Sequence, residues 1–137
     1  MTNPLLGTAL LAVPVTALYA ALNVILTVGL TVNVIRVRTR LKITRGDGGN
    51  ADLGSAIRAH GNNVENAPLT LLLLLVAELC GGSSLALHVF GGALLVARLA
   101  HAFGLLAASR VQVLGVVLTL VVQLGLAGYT LWLRPWG

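Results

Sequence analysis

Polar side chains with helical spacing stand just before an apolar stretch in the middle of the chain. Arg58, Asn62 and Glu65 are four and three residues apart, so on an α-helix they share one face. The apolar segment 69–76 follows directly. A carboxylate at the edge of a membrane segment is unfavourable unless it is paired or used. These residues could therefore form an ion pair or hold a polar ligand.

A second polar group, Arg98 and His101, lies in a later apolar segment. The two residues are three apart and share a helical face. If their helix ends near residue 106, Arg98 lies roughly 13 Å inside that end at helical rise. Glu65 would enter from the same side on the preceding antiparallel helix. We expect Glu65 and Arg98 to meet, which predicts a polar pocket near one membrane surface, with Asn62 and His101 close by.

Two interpretations of this pocket stay open. Polar residues between membrane helices can act as packing contacts, each contributing about 0.6 to 2 kcal/mol. A single ion pair would be enough to join two helices, however, and the surplus donors then need another use. The number of polar groups favours a ligand site over packing alone.

Composition predicts an integral membrane protein. The chain has 137 residues, of which 57% are hydrophobic and 9% charged, whereas soluble domains carry about 25% charged residues. The net charge is +5, and five of the nine basic residues lie between Arg36 and Arg45. A basic cluster directly after an apolar run is typical of a cytoplasmic loop beside anionic lipid. No base-reading or aromatic groups accompany the cluster, so we expect no nucleic-acid partner.

Cysteine and histidine placement argues against a metal centre. Cys80 is the single cysteine, so no intrachain disulfide can form. His60, His88 and His101 do not follow a metal-ligand spacing. We therefore expect no metal cofactor.

The apolar runs predict an all-α integral membrane four-helix bundle that forms a single domain over residues 1–137. The predicted helices cover about 5–35, 56–80, 85–106 and 111–133. No basic residue precedes the first run, which is longer than a signal-peptide core, so it is expected to be retained. Ser55 or a neighbour is expected to cap the second helix. The positive-inside rule puts the basic 36–58 connection in the cytoplasm and both termini outside.

Two motifs resemble those of the MAPEG superfamily, the membrane-associated proteins in eicosanoid and glutathione metabolism. The first is Arg-Ala-His-x-Asn-x-x-Glu at 58–65, and the second is Ala-Arg-x-x-His at 97–101. The Gly-Asp-Gly-Gly sequence at 46–49 within the basic loop is most similar to the prokaryotic branch. The resemblance covers about residues 18–133 and implies a multi-pass protein of a bacterial inner membrane.

The resemblance also implies a fold assembly and an activity. Family members form homotrimers of four-helix subunits that contact membrane lipids and hold glutathione at the subunit boundary, facing the cytosol. They conjugate glutathione to lipophilic small molecules, reduce lipid hydroperoxides or isomerise lipid endoperoxides, and at least one kind only presents lipid to a partner enzyme. A glutathione transferase or peroxidase is thus expected, with glutathione as co-substrate.

Carried across by motif, the resemblance assigns roles to eight residues. Asn62 and Glu65 would hold the glutathione backbone, Arg98 would pair with Glu65, and His101 would line the tripeptide site. The full glutathione-binding set comprises Arg36, Arg38, Arg58, Asn62, Glu65, Arg98 and His101, with Arg36 and Arg38 reaching the tripeptide carboxylates from the adjacent subunit. Arg110, near the start of the fourth helix, would activate the thiol.

Two departures from the family pattern support an alternative function. Gly61 stands where catalytic relatives often have an arginine, and Leu105 stands where several have a tyrosine. Both changes remove ligand contacts, which favours a non-enzymatic lipid-binding or scaffold protein of the same fold. A third interpretation, a transporter or proton relay built on Glu65, Arg98 and His101, ranks last because the internal repeat and broken helices of transporters are absent from the sequence.

Overall fold

The computed structural model describes residues 12–134, and this part of the chain is helical without strands. It contains four helices: α1 Pro14–Leu41, α2 Ala51–Leu79, α3 Ser84–Leu106 and α4 Val111–Leu133. The predicted all-α class is confirmed. The predicted bounds of α3 and α4 agree with the structure to within one residue.

Helix α1 begins and ends later than predicted. Pro14 occupies the first turn, where its missing N–H has no cost, and the predicted segment 5–11 lies outside the described residues. The helix continues beyond residue 35 to Leu41 and so includes Arg36 and Arg38. Arginine is a good helix former, and the first glycine comes only at Gly46. The basic segment therefore extends the helix instead of forming a loop.

Helix α2 begins before its predicted start at residue 56. Asn50 is the N-cap, and its side-chain oxygen accepts a hydrogen bond from the backbone N–H of Leu53 at 3.0 Å. The prediction that Ser55 or a neighbour caps the helix is wrong, because the helix already begins at Ala51. The additional turn at its start is amphipathic and contains the fully buried Leu53.

Consecutive helices are antiparallel. Arg40 and Asp52 lie 3.6 Å apart at one end of the α1–α2 pair, and the backbone of Val15 contacts Glu78 at the other. The C-terminal ends of α1 and α3 therefore lie with the N-terminal ends of α2 and α4. We call this the basic end; it carries the 42–50 connection and the 107–110 turn.

Helices α3 and α4 approach each other closely near the basic end, where each has a buried glycine. A Cβ atom at Gly115 would lie 2.5 Å from the backbone nitrogen of His101. A Cβ atom at Gly104 would overlap the backbone of Gln112. Small residues at such crossings allow membrane helices to pack backbone against backbone. This contact places the first turn of α4 against His101.

Three of the described helices, α1, α3 and α4, are long and apolar enough to cross a membrane. Four spans were predicted, and α2 is the exception. Its 29 residues extend about 43 Å, but its first half is polar and only the part from residue 69 onward is strongly apolar. Large apolar side chains such as Ile25, Leu85 and Leu124 are exposed on the bundle surface, which suits a surface that faces lipid.

Candidate functional site

Arg98 occupies the centre of the bundle and is only 1% exposed. Its Nε donates to Oδ1 of Asn63 at 3.0 Å, and its Nη1 donates to Oγ1 of Thr119 at 3.2 Å. Its Nη2 donates to Oδ1 of Asn62 at 2.5 Å. The guanidinium group is thus satisfied by two amides of α2 and one hydroxyl of α4.

The hydrogen-bond network around Arg98 extends to α1. Asn63 donates from Nδ2 to Oγ1 of Thr27 at 2.9 Å, and Thr27 in turn donates to the backbone oxygen of Asn23 at 2.8 Å. Thr27, Asn63, Arg98 and Thr119 belong to the four different helices. In a medium without water, a network satisfied in this way can fix the helix register because its loss leaves several polar groups unpaired.

The predicted ion pair between Glu65 and Arg98 is wrong for the single chain. Glu65 is exposed, and no hydrogen bond or ion pair joins it to another residue in the part of the chain that the structure describes. The α2 residues that face Arg98 are Asn62 and Asn63. Their amide oxygens take the place that the prediction gave to the Glu65 carboxylate.

A cleft of about 350 Å³ opens beside this network at the basic end, and we call it the polar cleft. It brings together three residues that the sequence assigned to the site, and Leu105 lines it as well. Its lining comprises Arg58, Asn62, His101, Leu105, Gln112, Val113 and Val116. A neighbouring void of about 40 Å³ shares Asn62 and Val116 with the cleft and reaches Arg98. Arg98 therefore lies directly behind the polar cleft.

His101 has a defined orientation in the wall of the polar cleft. It is 6% exposed, and its Nδ1 lies 3.1 Å from the backbone oxygen of Gln112. A carbonyl oxygen only accepts hydrogen bonds, so Nδ1 carries the proton and donates it. The close contact at Gly115 brings the α4 backbone within reach of the imidazole ring.

Besides Arg98, four of the predicted site residues lie outside the polar cleft of the single chain. Arg36 lines a different cleft of about 570 Å³, together with Asn33 and Arg40. Arg38 donates from Nη1 to the backbone oxygen of Gly46 at 2.8 Å. Arg110 is exposed just before the first residue of α4, two positions from Gln112. These three arginines and Glu65 surround the basic half of the bundle without meeting within one chain.

Sequence reasoning did not identify Asn63, Thr119 and Gln112 as part of the site. Thr119 and Gln123, four residues apart in the otherwise apolar α4, were an available signal, because they place polar atoms on one face of that helix. Gln123 indeed donates to Oγ1 of Thr70 at 3.0 Å. The role of Gln112 was not visible, because it contributes its backbone oxygen and not its side chain.

Comparisons with known proteins identify relatives of the chain. The sequence profile of the MAPEG family matches residues 16–132. Two curated proteins named inner membrane protein YecN, from two strains of Escherichia coli, are each 41% identical to the chain over 90 residues. The matched stretch covers 66% of this chain and 69% of each relative.

Proposed function

The chain belongs to the MAPEG family, and from this premise we propose that it is a membrane-embedded, glutathione-dependent transferase or peroxidase that acts on lipophilic electrophiles. The observation that carries the proposal is the convergence of Arg58, Asn62 and His101 on one cleft at the basic end. These residues come from α2 and α3, and both their helical spacing and the family motifs predicted them in the site.

The donor groups of the polar cleft fit a peptide-like anion. Glutathione offers two carboxylates and two amide oxygens, which all accept hydrogen bonds. Arg58 supplies a guanidinium group at the cleft, and Asn62 can turn its amide NH₂ toward a ligand because its oxygen is already bound by Arg98. The volume of about 350 Å³ lies at the small end of the range of roughly 300–1,000 Å³ for ligand pockets.

We further propose a homotrimer in which neighbouring subunits complete the site. Arg36 and Glu65 are exposed on the single chain, and an unpaired carboxylate near a membrane is unfavourable. In the trimer, Arg36 and Arg38 of the neighbouring subunit would reach the tripeptide carboxylates. Glu65 would gain the ammonium group of glutathione as its partner.

The membrane setting of this function is a bacterial inner membrane with the basic end in the cytoplasm. Six of the nine basic residues of the chain lie between Arg36 and Arg58, at the basic end, which is the arrangement that the positive-inside rule associates with the cytoplasmic side. The relatives named YecN are inner membrane proteins. Glutathione would arrive from the cytosol, and apolar substrates would arrive from the lipid that contacts the outer helix faces.

Catalysis requires the thiolate form of glutathione, because the thiolate is the nucleophile and a free thiol has a pKa near 8.5. A guanidinium group beside the sulfur favours the thiolate. Arg110 is the arginine at the start of α4, and we assign it this role in the assembled protein. No cysteine of the protein is needed, because the ligand brings the sulfur.

A thermal-shift titration tests the proposed function. Purified protein in detergent is titrated with glutathione and with S-methylglutathione, which lacks the free thiol. Both compounds should stabilise the protein, by about 2.7 kcal/mol at a concentration 100 times the dissociation constant. Only glutathione should be consumed when a lipophilic electrophile is added. No stabilisation by either compound, together with no conjugation, would contradict the proposal.

A non-enzymatic lipid-binding or scaffold function is the second candidate, because apolar surfaces adjoin the site. Leu105 adds an aliphatic wall to the polar cleft. A second cleft of about 370 Å³ between α2 and α4 is lined mostly by apolar residues, including Leu69, Leu72 and Val76. Lipid that co-purifies with the protein, without any binding of glutathione, would favour this function.

A further inference from the structure

His101 has one ring nitrogen engaged and one available. Nδ1 donates to the backbone oxygen of Gln112, so in the neutral ring Nε2 has a lone pair and no proton. No described residue forms a hydrogen bond with Nε2, and Nε2 is not among the side-chain atoms sealed from the surface without a partner. His101 lines the polar cleft, and Nε2 is its ring nitrogen without a partner among the described residues.

The backbone keeps this tautomer in place. The carbonyl that accepts from Nδ1 belongs to the first turn of α4, which is pressed against α3 at Gly104 and Gly115. A backbone carbonyl cannot rotate away as a side chain can. The bond to Gln112 therefore orients the imidazole ring and leaves Nε2 as its free basic nitrogen.

His101 Nε2 is the basic acceptor among the described residues that line the polar cleft. Arg58 only donates, and the oxygen of Asn62 is bound by Arg98. The side chain of Gln112 contains a neutral amide, which is a very weak base. Glu65 does not line the cleft. A proton released in the cleft thus has one suitable acceptor among these side chains.

Building on the proposed function, we propose that His101 Nε2 is the general base that removes the thiol proton of glutathione, and that the electrophiles are α,β-unsaturated carbonyl compounds. An addition to such a compound needs one proton removed and one returned, and no leaving group. A single base beside the sulfur, in a cleft without a second acid, suits this reaction.

In this reaction, His101 both accepts the proton and returns it. Nε2 accepts the proton from sulfur and becomes N–H, while the new sulfur–carbon bond forms at the β carbon. The π electrons of the carbon–carbon double bond move toward the carbonyl oxygen, where Arg58 can donate to the developing negative charge. His101 then returns its Nε2 proton to the α carbon, and the ring is neutral again.

Two substitutions at one position separate catalysis from packing. The amide nitrogen of an asparagine can occupy the place of Nδ1, so His101→Asn keeps the bond to the Gln112 carbonyl and removes the base. The longer glutamine places its amide near Nε2, so His101→Gln weakens the bond to Gln112. Neither amide is basic. If His101 is the base, both variants should lower kcat with a long-chain enone by about 100- to 10,000-fold.

Binding and thiolate formation are measured on the same purified full-length variants. S-methylglutathione should still bind His101→Asn, with some loss of affinity because His101 lines the polar cleft, so kcat is compared at saturating glutathione. The ultraviolet absorbance of the thiolate, seen when glutathione binds the wild-type protein, should decrease in both variants, and only the part that Arg110 supports should remain. His88→Gln is the control; His88 lies on the same helix, at the end opposite the cleft, and its ring contacts Tyr19. It should keep both signals.

Each outcome decides the proposal. If His101→Asn keeps kcat within about threefold and only His101→Gln is inactive, the residue has a structural role and the base assignment is wrong. A thiolate signal of wild-type size in both variants also overturns it. If the wild-type protein binds neither glutathione nor S-methylglutathione, the proposed function itself fails, and the role of His101 as thiol base fails with it.

Discussion

The side-chain oxygen of Asn62 lies 2.5 Å from Nη2 of Arg98, and this bond joins the polar cleft to the centre of the bundle. Arg98 lines only the small void behind the cleft and is almost fully buried. Any effect of Arg98 on a ligand in the polar cleft would therefore pass through Asn62, whose amide it orients. This relationship separates residues that face the polar cleft from residues that support them.

Asn62 and Asn63 are adjacent and chemically identical, yet the structure gives them different roles. Asn62 lines the polar cleft, whereas Asn63 is 1% exposed and bridges Arg98 to Thr27. We expect Asn62→Ala to weaken glutathione binding at least tenfold and also to lower stability, because one N–H of the buried Arg98 loses its acceptor. Asn63→Ala should reduce the free energy of unfolding by about 2 kcal/mol, because it leaves Arg98 and Thr27 without a partner, and it should affect binding less. Calorimetric binding and unfolding in mixed micelles measure the two effects. Equal effects of both substitutions would contradict this division of roles.

Arg98 should be poorly replaced by lysine. The guanidinium group donates to three acceptors on two helices, and an ammonium group cannot match that planar arrangement. Hydrogen bonds to charged groups contribute about 1.5 to 3 kcal/mol each, so Arg98→Lys should destabilise the bundle by about 2 to 4 kcal/mol. Unfolding in mixed micelles measures this effect.

Arg40→Lys is the matched control for that substitution. Arg40 forms an exposed ion pair with Asp52 at 3.6 Å, and exposed pairs contribute about 0 to 1 kcal/mol. The control should therefore change stability very little. A similar small effect at Arg98 would show that its buried network does not stabilise the bundle.

Gly115→Ala should destabilise the contact between α3 and α4. The added methyl group would lie 2.5 Å from the backbone nitrogen of His101, so one helix must move. Such overpacking costs about 1 to 3 kcal/mol, and the displacement should also disturb the bond from His101 to the Gln112 carbonyl. The unfolding free energy and the binding of S-methylglutathione should both decrease.

Gly29 in α1 provides the opposite case. No atom lies within 4 Å of a Cβ built at this position, and glycine in a helix is less favourable than alanine by about 0.5 to 1 kcal/mol. Gly29→Ala should therefore leave stability unchanged or raise it. If Gly115→Ala is as stable as the wild-type protein, α3 and α4 can move apart without a loss of stability.

Arg110→Ala should lose turnover and keep its fold. Arg110 is exposed before α4, so its removal should change the unfolding free energy by no more than about 0.5 kcal/mol. If it stabilises the thiolate in the assembled protein, kcat should fall at least tenfold. Steady-state kinetics measure the loss, and Arg45→Ala, in the exposed loop, is the control. Full turnover by Arg110→Ala would remove Arg110 from the site.

The sequence predicted the class and the family because those signals are strong and local. Long apolar runs indicate membrane helices, and the motifs at 58–65 and 97–101 gave a family resemblance that the match over residues 16–132 confirms. The convergence of Arg58, Asn62 and His101 followed from helical spacing and antiparallel order. The end of α1 was wrong because the basic residues were interpreted as loop, although arginine favours helix.

The sequence alone could not show that Glu65 does not pair with Arg98 within the chain. Complementary charges on neighbouring helices favoured an ion pair with Arg98, but a guanidinium group can also be satisfied by neutral oxygens. Which α2 residues contact Arg98 depends on the rotation of α2 about its axis. In the structure, this rotation brings Asn62 and Asn63 to Arg98. Spacing alone does not specify that rotation well enough to choose between residues one turn apart.

The carboxylate of Glu78 accepts hydrogen bonds from the backbone N–H groups of Val15 and Thr16, at 2.9 and 2.7 Å, whereas Val13 gives α1 no side-chain cap. During synthesis, the backbone amides of Val15 and Thr16 are made more than sixty residues before Glu78, which accepts their hydrogen bonds. When α1 is made, its N-terminal end therefore lacks these acceptors until α2 has folded back beside it. The N-terminal end of α1 is thus completed only when α1 and α2 pack together as a hairpin.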